Sequence, residues 1–359
     1  MSIKIAFLGD ISFNGKFNLT ENKNVKEYLF TMSEYLEQFD YVIGNLESPM
    51  TTHEFTLTCK GLHLKTSPVN VELLNYLHIN VVDLANNHLF DYGRKGYDDT
   101  IRLLNENNID FYGVEGIEVI IEKENSKIAL GGYCCLSTNP SVCNAQGVNP
   151  LDPKAIRKRL NENEMNGYMN MVSVHWGDEY IHYPRYEHVQ MARSLADKHA
   201  IVLHGHHPHV IQGIEEYNSS LMAYSLGNFC MDDIVSKSVK GLKVTQEVSN
   251  RESFIWSMEV ENNKVITYHI VPIVDNGESI ELGDQRIVDD LLQYSEALKM
   301  PMQAYVEFRK KKMDKLIVSK PRKRDFKWIL NRLNYYYIGA VIKGVLNKRK
   351  YNRIMKYLK

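Results

Sequence analysis

Ile201-Val-Leu-His204-Gly-His206-His207-Pro-His209 is a short apolar run that ends in four histidines within six residues. A short apolar run closed by polar residues reads as a buried strand with chemical groups at its carboxyl end. The pattern recurs along the chain. Strands expected over 3–8, 41–43, 81–84 and 170–174 lead into Leu8-Gly-Asp10, Gly44-Asn45-Leu46-Glu47, Ala85-Asn86-Asn87-His88 and His175-Trp-Gly-Asp-Glu179. Two more strands are expected over 128–132 and 221–224, and helices over 24–38, 67–77, 94–107 and 185–199, with Ser67-Pro68 as a cap-and-proline start. Strands alternating with helices place the chain in the α/β class. Runs over 253–260 and 264–271 alternate with period two around Glu261-Asn-Asn263, an antiparallel pair that makes the sheet mixed. Beyond residue 272 the pattern weakens to one helix over 285–299, a break at Pro301 and a basic tail.

Ligands of open α/β sheets bind beyond the carboxyl ends of the strands, so these five polar clusters are expected to converge on one rim. Their carboxylates, amide oxygens and imidazoles, without a thiolate, suit Zn, Mn, Fe or Mg. His207 and His209 stand two apart, which in extended backbone puts both imidazoles on one side, with Pro208 stiffening the geometry. Singly, each cluster has an ordinary reading: Gly9-Asp10 as a turn, Asn86-Asn87 as another, His175 as a core histidine, and two of the four clustered histidines as bystanders. Five clusters at five strand ends point to a polar or metal active site. A phosphate-binding loop at Gly9 to Gly15-Lys16 fails, because five residues separate the glycines and Phe17 replaces the hydroxyl residue. With no GxSxG or GxGxxG stretch, serine hydrolase and dinucleotide chemistry have no support.

The composition is that of a globular chain: 359 residues, 44% hydrophobic, 43 Lys plus Arg against 44 Asp plus Glu. Such a length buries a core without disulfide or metal staples, so a metal site here is functional rather than structural. Five cysteines, an odd number with no CxxC pair, indicate a reducing compartment. The first ten residues reach Asp10 without a basic region or cleavage site, so no signal peptide is expected, and no apolar stretch reaches the roughly 18 to 20 residues of a spanning helix. The expected location is cytoplasmic, peripheral at the inner membrane face. Near-neutrality hides an asymmetry: residues 309–359 carry 18 Lys plus Arg against Asp314 and Asp325, a net +16, while the first 308 residues carry 25 against 42, a net −17. Three parts are expected: a body over 1–275, a helical connector over 276–308 and a basic amphipathic helical tail over 309–359.

In the tail, Trp328, Tyr335, Tyr336, Tyr337, Ile338, Val341, Ile342, Val345 and Leu346 are flanked by Lys and Arg. This suits a helix on an anionic membrane surface, and equally a helix packed by its apolar stripe on the acidic body. Nucleic acid is not an expected partner, since no recognition motif accompanies the charge.

Taken together, Gly9-Asp10, Asn45-Leu-Glu47, Asn86-Asn-His88 with Asp91 and Gly93, His175-Trp-Gly with Glu179, Gly205 with His207-Pro-His209, and Ser225-Leu-Gly-Asn228-Phe229 resemble the CapA family of bacterial capsule synthesis and poly-γ-glutamate biosynthesis proteins. The resemblance implies a mixed-sheet α-β-β-α sandwich similar to calcineurin-like metallophosphoesterases. It further implies Asp10, Glu47, Asn87, His175, His207 and His209 as ligands of one or two divalent ions. His88 would be a general acid near the leaving oxygen and Asp91 the group that orients it. Asn45, Glu179, His206 and Asn228 would bind substrate or support the ligands from behind. The implied function is a metal-dependent, phosphoesterase-like hydrolase in biosynthesis of a capsule or other surface polymer, acting on that polymer or its precursor and meeting a polymer synthase complex. Two alternatives stay open: a non-catalytic component that binds the polymer or a synthase partner, and amide or transpeptidase-like chemistry on a γ-glutamyl polymer. Metallophosphoesterases usually begin with Asp-x-His, whereas this chain has Asp10-Ile11-Ser12, and Glu47 stands where they carry a bridging aspartate.

Overall fold

In the computed structural model, which describes residues 2–56, 58–138, 147–236, 239–319 and 333–356, two sheets pack face to face with helices on both outer faces. In chain order the strands are β1 (Ile3–Ile11), β2 (Tyr41–Leu46), β3 (Val81–Asp83), β4 (Asp110–Tyr112), β5 (Val119–Lys123), β6 (Ser126–Cys134), β7 (Met169–His175), β8 (Ile201–His206), β9 (Ile214–Tyr217), β10 (Ser220–Ala223), β11 (Asn228–Cys230), β12 (Ile234–Val235), β13 (Lys243–Val244), β14 (Glu252–Glu261), β15 (Lys264–Asp275) and β16 (Ile280–Leu282). The helices are α1 (Val25–Tyr28), α2 (Phe30–Leu36), α3 (Val71–Tyr76), α4 (Gly93–Glu106), α5 (Pro153–Met165), α6 (Tyr186–Ala196), α7 (Gln285–Ala297), α8 (Met302–Ser319) and α9 (Tyr335–Met355). One sheet runs β16-β15-β14-β1-β2-β3-β4, with β11 also paired to β1; the other runs β5-β6-β7-β8-β10-β9.

The expected α/β sandwich is the observed one, and side-chain alternation explains its layers. Ile3, Ile5 and Phe7 of β1 pack between the sheets with Met171 of β7 and Val202 of β8. The alternate residues Ala6 and Leu8 turn outward to α1 through α4, while Val172, Val174 and Leu203 face α5 and α6 on the other side. The helix expected over 24–38 is broken at Leu29 into α1 and α2. The expected hairpin is present: Glu261 pairs with Lys264, and Asn262 and Asn263 have φ of 50° and 60°, the left-handed pair that a two-residue turn requires.

One irregularity sets up the chemistry. Phe7 pairs with Ile43 but Asp10 pairs with Asn45, so β1 holds one residue more than β2 over that stretch. This bulge reverses the alternation. Without it Asp10 would share the helix-facing side of Leu8; with it Ile11 joins the helix layer and Asp10 turns toward the second sheet. Gly9 makes the bulge fit, because a Cβ there would lie 2.2 Å from Gly227 O, the carbonyl that accepts the Asp10 backbone N–H at 2.9 Å.

The described parts of the tail pack on the body. Arg309, where the charge division falls, lies within α8 and donates to Tyr183 O (2.9 Å) and Asp178 Oδ2 (2.5 Å). Tyr351 and Met355 of α9 join the outer core beside α6. The tail residues 320–332, Trp328 among them, and Cys143 lie outside the described residues.

Gly9→Ala is expected to lower stability by about 1–3 kcal/mol, the usual cost of overpacking. Gly344→Ala, in helix α9 with nothing within 4 Å of a new Cβ, is expected to be neutral or to gain up to about 1 kcal/mol. Urea unfolding midpoints check both, and an unchanged midpoint for Gly9→Ala contradicts the role given to the bulge.

Candidate metal centre

The carboxylate delivered by the bulge is saturated by donors. Asn45 Nδ2 donates to Asp10 Oδ1 at 2.8 Å, His206 Nδ1 to the same oxygen at 3.0 Å, and the His207 backbone N–H to Oδ2 at 3.1 Å. His209 Nδ1 lies 3.3 Å from Oδ2. Burial by itself would raise the Asp10 pKa, but hydrogen bonds from His206 and His209 outweigh it and hold the carboxyl well below the usual range. His206 Nε2 accepts from His204 Nδ1 at 3.0 Å, and His204 rests on Phe7 with ring centroids 4.4 Å apart. These two histidines therefore run from Asp10 back between the sheets, and His207 and His209 face the rim.

Glu47, just past β2, is in the opposite condition. It is fully buried, and neither side-chain oxygen has a hydrogen-bond partner among the described residues. Around Oε1 stand His175 Nε2 at 3.7 Å, His209 Nε2 at 3.9 Å and His88 Nε2 at 4.0 Å. Burial raises the Glu47 pKa to about 8, with His209 opposing and Asp10 adding to the rise. Ligand atoms of Glu47, His207 and His209 lie within 4.8 Å of one another, and among the described residues His207 Nδ1 is also buried without a partner. Two donors on one tetrahedral ion are separated by roughly 3–3.5 Å at ordinary bond lengths. Carboxylate and imidazole atoms gathered in this way suit a divalent cation by charge and donor type, and the donors would draw closer together on binding it.

The turn after β8 corrects one expectation. His207 and His209 are not in extended backbone; their φ values are 93° and 56°, in the left-handed region that non-glycine residues rarely adopt. Their rings still converge, with centroids 5.8 Å apart. His209 is fixed from behind by Asn228 Oδ1, 2.9 Å from its Nδ1, and Asn228 in turn donates to Gln246 Oε1 (3.2 Å) and Asn250 O (3.1 Å). Burial works against a charged His209, yet Glu47 and Asp10 prevail and raise its pKa to about 10. His175 and His207 are instead held well below the imidazole range, by burial first and then by neighbouring histidines, which keeps their lone pairs available.

The loop after β3 contributes from the other side. Asn86 Oδ1 accepts from the backbone N–H groups of His88 (3.0 Å) and Leu89 (2.9 Å), a local turn that presents Asn87 and His88 to the rim. Asn87 Oδ1 lies 3.1 Å from His175 Nε2. His88 Nδ1 lies 2.6 Å from Asp91 Oδ2, which also accepts the Leu64 N–H at 2.8 Å. Burial pulls the His88 pKa down to about 4, assisted by the charge of Lys60. Asp91 is lowered to about 2, since Lys60 and His88 overcome its burial.

The structure thus gathers Asp10, Asn45, Glu47, Asn87, His88, Asp91, His175, His206, His207, His209 and Asn228. Glu179 is exposed beside them, and its charge bears on Glu47 and His209. Sequence reading missed Lys60, whose buried Nζ reaches Asn87 O (2.6 Å), Asp91 Oδ1 (2.9 Å) and His88 Nδ1 (3.0 Å). It also missed Asp83, buried at the end of β3, where it accepts from the Ala85 N–H at 2.8 Å and from Ser173 Oγ. A lone lysine in an irregular loop carries no local signal. Asp83, by contrast, sits two residues after Val81 at a strand end and was readable by the same rule as the other clusters.

The model of the family described as "Bacterial capsule synthesis protein PGA_cap" matches residues 4–233. Among curated proteins, the chain is 32% identical over 242 residues to the PGA biosynthesis protein CapA of Bacillus subtilis (64% of this chain, 63% of that protein). It is 30% identical over 255 residues to the capsule biosynthesis protein CapA of Bacillus anthracis (64% and 60%), and 24% identical over 213 residues to a probable polyglutamine synthesis accessory protein of Mycobacterium tuberculosis (54% and 56%). The chain therefore spans less than two thirds of the length of each of these relatives. The matched segment holds every donor gathered around Glu47, from Asp10 on β1 to Asn228 on β11, and the chain belongs to the bacterial capsule synthesis family.

Proposed function

We propose that the chain is a metal-dependent, phosphoesterase-like hydrolase that serves biosynthesis of a capsule or poly-glutamate surface polymer. The observation that carries the reading is the Glu47 carboxylate, buried without a hydrogen-bond donor among the described residues and ringed by imidazole nitrogens. To be ionised in that position, the carboxylate needs a cation beside it. Glu47, His207 and His209 would hold one divalent ion, with His175 and Asn87 alongside, while Asp10, already saturated by protein donors, would orient His209 and the turn at His207. Such an ion supplies Lewis acidity and activates water at neutral pH.

The remaining work falls to this chain's own residues. Asp91 keeps a proton on His88 Nδ1, so the unprotonated Nε2 faces the site. Lys60 favours that neutral imidazole. His88 is then set to take a proton from the attacking group and return it to the leaving oxygen. The names of the relatives support a surface polymer or its precursor as substrate and a polymer synthase assembly as partner.

A second reading, a non-catalytic component that keeps the pocket for binding, is favoured by burial: Asn87, His88, His207 and His209 are exposed by only 5–8%. Metal content by mass spectrometry and hydrolysis of bis(p-nitrophenyl) phosphate and of a γ-glutamyl amide separate the two. Wild type is expected to hold about one equivalent of metal and cleave the phosphodiester. His88→Ala is expected to keep the metal and lose about 10²–10⁴-fold in kcat. Fully metallated wild type that cleaves neither substrate supports the non-catalytic reading.

Asn228→Ala is expected to weaken metal binding about 10–100-fold by calorimetric titration, because His209 loses its support, and Glu47→Gln to abolish it. Folding raises the Glu47 pKa from 4.5 to about 8, so its burial costs the metal-free fold nothing below pH 4.5 and progressively more as pH rises through about 8. In EDTA, Glu47→Gln is therefore expected to melt above wild type at pH 8, with the gap closing toward pH 5. A gap that ignores pH, or has the opposite sign, contradicts the assignment.

A further inference from the structure

Helix α9 has two unlike faces. The inner face lies on the body: Tyr336 OH donates to Thr56 O at 3.0 Å, Gly339 abuts Cys59, and Tyr351 OH lies 3.1 Å from His188 Nε2 and 3.2 Å from Glu187 Oε1. On the opposite side, at helical spacing, stand Ile338, Val341, Ile342, Val345 and Leu346, each between 47% and 58% exposed, and no described residue covers them. Further along the same line come Arg349, Arg353 and Lys356, with Lys348 and Lys350 beside them, all exposed. From Leu333 to Lys356 there is no Asp or Glu.

These two properties select the occupant. A soluble polyanion would match the cations and leave the Ile, Val and Leu stripe in water. A second copy of the chain would cover the stripe and bring a matching row of cations against this one. An anionic bilayer offers hydrocarbon to the stripe and headgroup charge to the Lys and Arg row. Among the described residues no helix is long and apolar enough to cross a membrane, so the contact is with its surface. We infer that the outward face of α9 docks the protein on anionic lipid while the inner face stays on the body. Lys60, in the loop that α9 covers, reaches Asn87, His88 and Asp91, so docking would set the candidate metal centre beside the lipid surface. The docking itself does not depend on the metal chemistry, which His207→Ala tests separately.

The test is sedimentation of the full chain with vesicles of phosphatidylglycerol and phosphatidylcholine, and with phosphatidylcholine alone. Wild type is expected to sediment with the anionic vesicles, less so in high salt, and to stay in the supernatant with neutral ones. Val341→Glu with Ile342→Glu, both on the exposed face, is expected to cut binding at least about ten-fold while the circular dichroism spectrum and Tm stay at wild-type values. Lys348→Ala with Arg349→Ala and Lys350→Ala is expected to reduce the salt dependence. His207→Ala is expected to sediment as wild type does. The inference is overturned if wild type stays in the supernatant with anionic vesicles, or if the glutamate variant sediments undiminished. It is equally overturned if wild type is a dimer by light scattering that the glutamate variant dissociates, or if it is retained by poly-glutamate and not by lipid.

Discussion

Two carboxylates stand at the ends of neighbouring strands, and the fold treats them in opposite ways. Asp10 receives hydrogen bonds from Asn45, His206 and the His207 backbone, and it is kept ionised. Glu47 receives none from the described residues, although it is equally buried. A buried carboxylate without a donor is among the costliest groups a fold can contain. The rest of the site is organised around that vacancy of partners: three imidazole Nε2 atoms approach Glu47 Oε1 to within 4.0 Å, and each imidazole is held from behind or beside. Asn228 holds His209, Asp91 holds His88, and Asn87 meets His175.

Much of this was legible in the sequence, because strand ends and polar clusters are local patterns. The α/β class, the hairpin at Asn262-Asn263 and the convergence of five loops all follow from periodicity and turn chemistry. The reason Asp10 points into the site did not. It depends on a bulge, visible only once β1 is paired with β2, and on the close approach of Gly9 to Gly227. The division of the four clustered histidines was also hidden. Alternation in β8 sends His204 and His206 between the sheets, while His207 and His209 turn through left-handed backbone, where the rule for extended chain does not apply. Lys60 was invisible for a different reason: its loop has no regular structure, its neighbours Cys59 and Gly61 lie against α9, and its Nζ is held by Asp91.

The charge asymmetry also changes meaning in three dimensions. The −17 stretch and the described part of the +16 stretch pack together, tied by Arg309 to Asp178 in the loop that follows His175. Asp178 is shared with Arg185 and lies two residues from Trp176, which stacks on His188, itself in contact with Tyr351 of α9. The tail is thus mechanically continuous with one wall of the site. Arg349 and Arg353 of α9, Lys356 at its end and the apolar stripe in line with them are exposed to solvent.

We propose that the Glu47 carboxylate holds a cation together with His207 and His209. Crystals grown with manganese and measured for anomalous scattering address it most directly. One strong anomalous peak is expected in contact with a Glu47 oxygen and with both imidazoles. No peak there, with Glu47 instead hydrogen-bonded to an ordered water, would contradict it.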